Sequence, residues 1–495
     1  MESQFPHPYF SSHPKWRWFI LTTVLIGATM SALDVSIVNV ALPTLQNSFK
    51  VNLAVIEWVA MAYMLTLTIF LPLFGRLADI FGRSKMYNTG FVVFTVGSAF
   101  CGLATSAGFL IGARILQAVG AGLLQANSVA LITQAFPASE RGRAIGIQGA
   151  VQAVAMSIGP FVGGILISAI GWRAIFYVNV PIGILGTFAA LYCLPAGERS
   201  GKREKIDYLG TVLFAIGLAF LVLAVNEGES IGWTSSIILT YFALSAVLIT
   251  AFIITEMRIE HPMIDLSLFK RYAFSAGNFT GMLSYYVLFA VLFLMPFYLE
   301  EIGGYTPALT GSILTPIPLA MAVVAPFAGH ISDKYGSRLM TSWGMAVCAL
   351  ATLLLIFIGQ SPNTLVLIGE LVILGIGMGL FTPPNNSAIM GSAPRERLGV
   401  AGGILNMMRA LGLIFGVDIS GVIFTSLQHS YIVSHGYGAV AFNAVPLTIR
   451  RAAFLHGFAP VMVSLLVINI VAAVLSVAKK DVYTDGLHGE PIDLM

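Results

Sequence analysis

The sequence predicts an all-α integral membrane protein in which two related six-helix bundles flank two inserted helices and both termini are cytoplasmic. The first observation is composition: 57% of the residues are hydrophobic and only 10% are charged, whereas a soluble domain carries about 25% charged residues. The second is a series of apolar stretches, each of the roughly 20 residues that a helix needs to cross a bilayer. These observations exclude a water-soluble protein, and a net charge of +3 without a basic cluster indicates no nucleic-acid partner.

Fourteen apolar stretches are predicted to cross the membrane, with centres near residues 29, 66, 95, 121, 155, 184, 217, 244, 285, 317, 349, 376, 413 and 465. With cytoplasmic termini, the inner segments hold twenty Lys and Arg residues and the outer segments hold four. This is the bias that orients membrane helices, so it supports the count and the orientation together. The first stretch, from about Trp18 to Leu42, is too long for a signal peptide and is predicted to remain as a membrane helix.

Two pairs of segments show an internal repeat. The charged loop GRLADIFGRSK (Gly75–Lys85) follows the second predicted helix and resembles GHISDKYGSRL (Gly329–Leu339), which follows the tenth. Two helices later, LIGARILQAVGAGL (Leu110–Leu123) resembles LIGELVILGIGMGL (Leu367–Leu380). Because the offsets of 254 and 257 residues are nearly equal, helices 1–6 and 9–14 are predicted to be two related halves.

The repeat divides the chain into three parts. Residues 1–197 are predicted to form the N-terminal six-helix bundle, residues 198–260 a charged linker with inserted helices 7 and 8, and residues 261–495 the C-terminal bundle with a short cytoplasmic tail. Duplicated six-helix halves are typical of transporters, whose substrate site lies near the midplane between the halves. Since the sequence has no motif that fits a P-loop, an ion gradient is expected to drive transport.

Five motifs of this chain resemble those of one transporter family. They are LDVSIVNVALP (Leu33–Pro43), GRLADIFGRSK after helix 2, ARILQAVGAG (Ala113–Gly122), SIGPFVGG (Ser157–Gly164) and WRAIFYVNVPIG (Trp172–Gly183). With them the chain is similar to the major facilitator superfamily (MFS), and more narrowly to its fourteen-helix drug:proton antiporters (the DHA2, EmrB/QacA-like group). Ser36 and Ala155 stand where that group usually has threonine and glycine. The resemblance implies the MFS fold and proton-coupled antiport by alternating access in the cell membrane.

Asp34 and Arg114 are charged residues inside predicted membrane helices. Counting 1.5 Å per residue from the helix ends places both in the outer part of the membrane, at comparable depth. Burying either alone would cost about 2.5–3.5 kcal/mol, whereas two facing charges offset each other. Because Arg114 favours the charged form of Asp34 and burial favours the protonated form, a movement of Arg114 could switch Asp34 between them. The resemblance implies this proton-coupling role for both; a static pair that only fixes packing is the alternative.

Two further acids are candidates for proton coupling, Glu370 in helix 12 and Asp418 in helix 13. The alternative for each is a carboxylate that lines a groove or a loop. Arg409 also lies in helix 13, but the nine residues between it and Asp418 place the two side chains on opposite faces. Glu57, at the outer end of helix 2, is expected to be a solvated residue at the mouth of the protein.

The gating residues follow from the family resemblance. The loop after helix 2 is expected to latch the two halves at the cytoplasmic face, with Asp79 near the N-terminus of helix 13, whose dipole favours a negative charge. The second copy of this loop is expected to be weaker because Ser337 replaces the arginine. In helix 5, Pro160 is expected to bend the helix and the small residues to seal the interface between the halves; ordinary loop charges and a local kink are the alternatives. The residues assigned to gating are Gly75, Asp79, Gly82, Arg83, Gly159, Pro160, Gly163, Gly164 and Asp333.

Polar and aromatic residues on helices 1, 4, 9 and 12 are candidates for the substrate wall, because the resemblance implies that these helices line the central cavity. Aromatic faces suit lipophilic cations, although packing in the core or against lipid is the alternative for each aromatic. The segment Pro383–Asn386 is predicted to break helix 12 and free carbonyl groups toward a cavity. The substrate-binding candidates are Asn39, Gln117, Gln125, Asn127, Tyr285, Tyr286, Phe289, Phe293 and Asn385.

The sequence therefore predicts a secondary transporter rather than an enzyme, namely a proton-coupled exporter of lipophilic compounds that are expected to be cationic. An exporter of one metabolite, siderophore or lipid is the first alternative, and a non-transporting membrane receptor or scaffold is the second. The expected partners are a small-molecule substrate, protons and the lipid bilayer, and the protein is expected to be a monomer. No cofactor or metal is expected, because the histidines lack ligand spacing and the three cysteines are scattered.

Overall fold

The computed structural model describes residues 15–136, 138–195, 207–259, 262, 264, 266–359, 363–394, 398–437 and 445–478. These residues form fourteen successive helices. The helices of the first part are α1 (Trp16–Phe49), α2 (Leu53–Phe81), α3 (Arg83–Gly102), α4 (Ala107–Ala135), α5 (Ala138–Ala169), α6 (Ala174–Tyr177 and Asn179–Cys193), α7 (Tyr208–Ile231) and α8 (Ser236–Arg258). Those of the second part are α9 (Tyr272–Phe297), α10 (Pro307–Leu314 and Pro316–Tyr335), α11 (Ser337–Leu355), α12 (Thr364–Ser392), α13 (Leu398–Ser434) and α14 (Leu447–Val477).

Two of these helices contain a joint. Val178 in α6 and Thr315 in α10 keep right-handed helical backbone angles, so each pair of segments is counted as one helix. A 3₁₀ turn (Leu266–Lys270) precedes α9, and a π-helical turn (Tyr298–Ile302) continues it. Every predicted helix centre lies inside one of the fourteen helices.

Twelve helices in the described part of the chain are long and apolar enough to cross a membrane. The two others are α3, which has 20 residues, and α5, in which Val154–Ala169 is a shorter apolar stretch. The predicted class, an all-helical multi-pass membrane protein, is confirmed.

The chain divides into two compact units. Unit 1 holds residues up to 219 together with 246–263, and unit 2 holds residues 220–245 together with those from 264 onwards. Helices α7 and α8, which the sequence predicts to be an insertion, are each divided between the two units.

The same helix pairs pack together within each unit. In unit 1, α3 and α2 pack on α4, α1 packs on α5, and α3 packs on α6. In unit 2, α11 and α10 pack on α12, α9 packs on α13, and α11 packs on α14. Adding eight to both helix numbers of a pair in unit 1 gives the corresponding pair in unit 2. This correspondence is expected if helices 1–6 and 9–14 are related.

Glycines at repeated positions explain part of this likeness. Gly82 ends α2 with φ 94° and Gly336 ends α10 with φ 87°, values that residues with a Cβ rarely adopt. A Cβ at Gly120 would collide with the backbone of Phe94 in α3, and one at Gly377 would come within 2.8 Å of the backbone nitrogen of Cys348 in α11. Glycine lets these helix backbones approach closely in both units.

The predicted break in helix 12 is wrong. α12 runs without interruption from Thr364 to Ser392, with Pro383 and Pro384 inside it. Beside the prolines, the Asn385 side-chain amide donates to the carbonyl oxygen of Gly277 in α9 at 3.0 Å, which ties α12 to α9. Proline removes one backbone donor, but it does not prevent a membrane helix from continuing. α5 likewise continues through Pro160, and its bend stays a prediction.

Candidate functional site

Asp34 lies in the interior of unit 1, on α1, with none of its surface exposed. Its Oδ2 accepts a hydrogen bond from Nη1 of Arg114 in α4 at 2.5 Å. Its Oδ1 accepts from the side-chain amides of Gln117 at 2.8 Å and Asn179, in α6, at 3.0 Å. A buried carboxylate needs a charged partner and further donors of this kind, and here they come from two other helices.

Arg114, which is 1% exposed, is held from several sides. Its Nε donates to the Val59 carbonyl oxygen in α2 at 3.1 Å, and its Nη1 also donates to Oε1 of Gln117 at 2.5 Å. The guanidinium carbon lies 4.1 Å from the centre of the Tyr63 ring, close enough for a cation–π interaction. Gln117 in turn donates to Ser98 in α3 at 2.6 Å. Five helices thus contribute to one polar cluster, which we name the Asp34 cluster.

The spacing of the sequence builds part of this cluster. Arg114 and Gln117 are three residues apart, so they lie on the same face of α4 and reach the same carboxylate. The arrangement can hold a negative charge on Asp34 as long as Arg114 stays in place. Displacement of the guanidinium would leave that charge buried without its counterion, which is strongly unfavourable.

The substrate candidates of unit 1 occupy different surroundings. Gln117 belongs to the Asp34 cluster. Gln125 donates to Ser31 Oγ in α1 at 2.9 Å, and Asn127 donates to the Leu123 carbonyl oxygen of its own helix at 2.8 Å. Asn39 is buried on α1.

The aromatic candidates of unit 2 lie mainly in its core. Tyr286, Phe289 and Phe293 are buried. Tyr285 is half-buried, stacks on Phe289 with ring centres 6.5 Å apart, and lies 5.3 Å from the guanidinium carbon of Arg409. Asn385 is buried against α9.

Arg409 is half-buried on α13 and donates to the side-chain oxygen of Asn386 in α12. Together with Tyr285 these residues form a second polar group, which we name the Arg409 cluster. Arg409 does not reach Asp418, as the predicted opposite faces require.

The two candidate acids of unit 2, Asp418 and Glu370, have fewer partners than Asp34. Asp418 has no exposed surface; its Oδ1 accepts from the Asn226 amide of α7 at 3.4 Å. Its Oδ2, and Oε2 of the buried Glu370, have no hydrogen-bond partner among the residues that the structure describes.

The expected solvent exposure of Glu57 is wrong, since this residue is only 2% exposed. It shares a face of α2 with Leu53, Ile56 and Ala60, all of which are buried. The helical period carries Glu57 inward with these apolar neighbours.

The gating candidates are placed only in part. Gly82 joins α2 to α3, and Gly75 and Arg83 flank it on these helices, whereas the side chains of Asp79 and Asp333 lie outside the described residues. In α5, a Cβ at Gly159 would collide with the Ser36 side chain and one at Gly163 with Ile37, so both glycines pack on α1. Pro160 and Gly164 are buried.

A second glycine pair of the same kind lies in unit 2. A Cβ at Gly412 or Gly416 of α13 would collide with the backbone of Met282 or Tyr286 in α9. The i, i+4 spacing of these two glycines is a signal in the sequence that matches the spacing of Gly159 and Gly163.

Several cluster residues were absent from the predicted site. Asn179 is a polar residue within an apolar stretch, and that contrast is the signal that would have found it. Asn226, the partner of Asp418, stands at the end of an apolar stretch directly before Glu227, where a polar residue gives little signal. Ser98 and Tyr63 carry no such signal, because hydroxyl and aromatic residues are common in membrane helices.

Comparison with protein families decides the identity. The sequence model of the Major Facilitator Superfamily matches residues 24–417. The chain belongs to the major facilitator superfamily. It is a membrane transporter and not an enzyme, and its all-helical fold is that of the superfamily.

Individual relatives agree with this assignment. The chain is 37% identical over 406 residues to the riboflavin transporter RibZ of Clostridioides difficile (strain 630), covering 81% of this chain and 87% of RibZ. It is 36% identical over 411 residues to the multidrug resistance protein Stp of Mycobacterium tuberculosis (strain CDC 1551 / Oshkosh), covering 83% of this chain and 76% of Stp.

A solved structure shares the fold. The bacterial homologue of the human lysosomal transporter Spinster, in its inward-facing and unoccupied conformation, superimposes with a TM-score of 0.68. The match covers 94% of this chain and 97% of that one at 16% identity.

Proposed function

We propose that this transporter is a proton-coupled exporter of lipophilic organic compounds that works by alternating access. The observation that carries the proposal is the Asp34 cluster, in which a fully buried carboxylate is paired with a fully buried guanidinium. Intramembrane ionisable groups are costly and commonly mark proton or substrate pathways. The relative Stp, named a multidrug resistance protein, supports the same class of substrate.

In the proposed cycle, Asp34 exchanges its contact with Arg114 for a proton. Breaking a buried ion pair without compensation costs about 3–5 kcal/mol, so Asp34 and Arg114 separate only when protonation removes the charge. A cationic substrate that competes with Arg114 for the carboxylate would release the proton again. Binding of substrate and proton would thus exclude each other, which is the requirement for antiport.

The proposal also covers the membrane topology, further proton sites, the gate and the oligomeric state. We propose that all fourteen helices span the cell membrane with cytoplasmic termini, which counts α3 and α5 as spans and places the protein in the fourteen-helix antiporter group. The twenty inner and four outer positive residues support this topology. Glu370 and Asp418 are proposed as further proton sites, and the loop and glycine residues assigned above as the gate. The proposed transporter acts as a monomer.

The Arg409 cluster favours a second candidate, export of one polar aromatic metabolite. A half-buried guanidinium repels a cation, whereas it can donate to a ring carbonyl while a neighbouring tyrosine stacks on the ring. A flavin has both features, and the relative RibZ is named a riboflavin transporter.

Two fluorescent probes separate the candidates. Inside-out vesicles containing the protein are given an acid-inside pH gradient, and uptake of ethidium, a lipophilic cation, and of riboflavin is followed. Gradient-driven ethidium uptake that Asp34→Asn abolishes supports the exporter of lipophilic compounds. Gradient-driven uptake of riboflavin alone supports the metabolite exporter. If the gradient drives neither probe, the proposed coupling is wrong and the receptor or scaffold class is favoured.

A further inference from the structure

The surroundings of Asp418 leave its protonation sensitive to a single neighbour. The carboxyl is fully buried, and the Asn226 amide reaches Oδ1 across 3.4 Å, near the long limit of a hydrogen bond. Oδ2 has no hydrogen-bond partner in the described part of the chain. A charged carboxylate is poorly compensated in such a site, so a gain or loss of this one donor changes the balance between its two forms.

The donor comes from the inserted helix α7. Asn226 is 3% exposed and lies 192 residues before Asp418 in the sequence, in the portion of α7 that belongs to unit 2. A buried amide in an apolar membrane helix is unfavourable unless it is hydrogen-bonded. The inserted helix thus brings a polar side chain to an acid of the C-terminal bundle.

We infer that Asn226 is a positioning residue that controls the protonation of Asp418, and that the inserted helix α7 is thereby part of a second proton site. The amide N–H stabilises the charged carboxylate, and a small displacement of α7 breaks the bond and favours proton uptake. The significance of this site for transport rests on the proposed proton coupling; the hydrogen bond and its effect on Asp418 do not.

Other titratable groups lie on the elements packed around this site. Among the residues whose side chains the structure describes, they are Tyr272, Tyr285 and Tyr286 on α9, Glu227 on α7, Glu370 on α12, Arg450, Arg451 and His456 on α14, and Arg409, His429 and Tyr431 on α13 itself. Tyr286 is close enough to interact electrostatically with Asp418. Because tyrosine is neutral over the range in which a carboxyl titrates, it does not replace Asn226 as the group that responds.

The test is an infrared titration of the purified full-length protein without substrate. The carboxylic-acid C=O band of Asp418 is identified as the band that Asp418→Asn removes. Loss of the donor in Asn226→Leu makes the charged form less favourable, so the pH of half-titration should rise by about one unit. Asn226→Gln, which retains an amide, should return the midpoint toward that of the natural protein.

Asn469→Leu is the matched control. Asn469 is also a buried asparagine of unit 2, but its amide donates to the Thr352 hydroxyl at 3.2 Å, so its loss should leave the midpoint unchanged. An unchanged midpoint in Asn226→Leu, or an equal rise in Asn469→Leu, overturns the inference. The inference also fails if Asp418→Asn removes no carboxylic-acid band. If Asn226→Leu does not fold, Asn226→Ala is used for the same titration. Because no substrate is present, a midpoint shift without ethidium transport would contradict the proposed function and leave this inference standing.

Discussion

The carboxyls of Asp34 and Asp418 are both fully buried, yet their surroundings differ. Asp34 in unit 1 receives a guanidinium and two amides, whereas the structure gives Asp418 in unit 2 one amide at 3.4 Å. The helix pairs that support the two units are nevertheless the same. The two units therefore share the same pairs of packed helices, but they differ in the polar side chains that surround the buried acid.

The sequence repeat shows where the divergence occurred. At an offset of 257 residues, Arg114 aligns with Leu371 and Gln117 aligns with Leu374, and both leucines are buried. Apolar side chains at these positions need no partners, so unit 2 has no counterpart of the Asp34 cluster there. Its buried acids occur at other positions, with less compensation.

Arg114→Leu should have the largest effect, because it leaves the Asp34 charge buried without its counterion. We expect a loss of about 3–5 kcal/mol in the free energy of unfolding, together with loss of gradient-driven ethidium uptake. Thermal unfolding in detergent and vesicle transport measure the two effects. Arg409→Leu, at a half-buried arginine of unit 2, is the control and should cost much less stability. Equal losses in the two variants would mean that the Asp34 cluster is not specially dependent on its arginine.

Asp34→Asn should abolish proton-driven uptake while the protein still inserts into the membrane. Asparagine has nearly the same shape, but it cannot carry a proton between two charge states; it also leaves the buried Arg114 without a counterion, so a loss of thermal stability should accompany the loss of transport. Vesicle uptake and immunoblotting of membranes measure the two quantities. Asp418→Asn is the comparison, with a smaller expected reduction. Proton-driven uptake by Asp34→Asn at the natural rate would remove Asp34 from the mechanism.

Gln117→Leu should have an intermediate effect, because it removes one of the three donors to the carboxylate. A hydrogen bond to a charged group contributes about 1.5–3 kcal/mol, and we expect a loss of stability in that range. Gln125→Leu is a matched control on the same helix, since the Gln125 amide reaches only the Ser31 hydroxyl. In a double-mutant cycle with Asp34→Asn, Gln117 should show coupling and Gln125 none. Coupling of the same size for both would contradict the cluster as described.

The repeated glycines give the smallest effects and the most direct comparison of the two units. Gly82→Ala and Gly336→Ala should each destabilise the protein by about 1 kcal/mol or somewhat more, because alanine is strained at φ 94° or 87°. Thermal unfolding measures this cost. If the loop after α2, which contains Gly82, is a stronger gate than the loop after α10, ethidium uptake should fall further in Gly82→Ala than in Gly336→Ala. An equal fall in both would indicate that the two loops contribute equally.

Much of the fold could be predicted because its signals are local. A helix such as α4 is predicted by an apolar stretch long enough to cross the membrane. The similar depth of Asp34 and Arg114 in the membrane follows from counting residues along their two helices. The burial of Glu57 could not be predicted from its position near a helix end, because the inward face of α2 is set by its neighbours. The continuity of α12 through Pro383 and Pro384 could not be predicted either, because a proline in a membrane helix can break it, bend it or leave it continuous.

The sequence by itself determined the membrane class, the repeated segments and the pairing of an acid with a base in unit 1, since hydropathy, repeats and charge are properties of short segments. Only the tertiary structure decided which neutral side chains complete each site. Asn179 and Asn226 are far from their acids along the chain, at separations of 145 and 192 residues. Hydrogen bonds act over about 3 Å, so such partners are known only when the helices are packed.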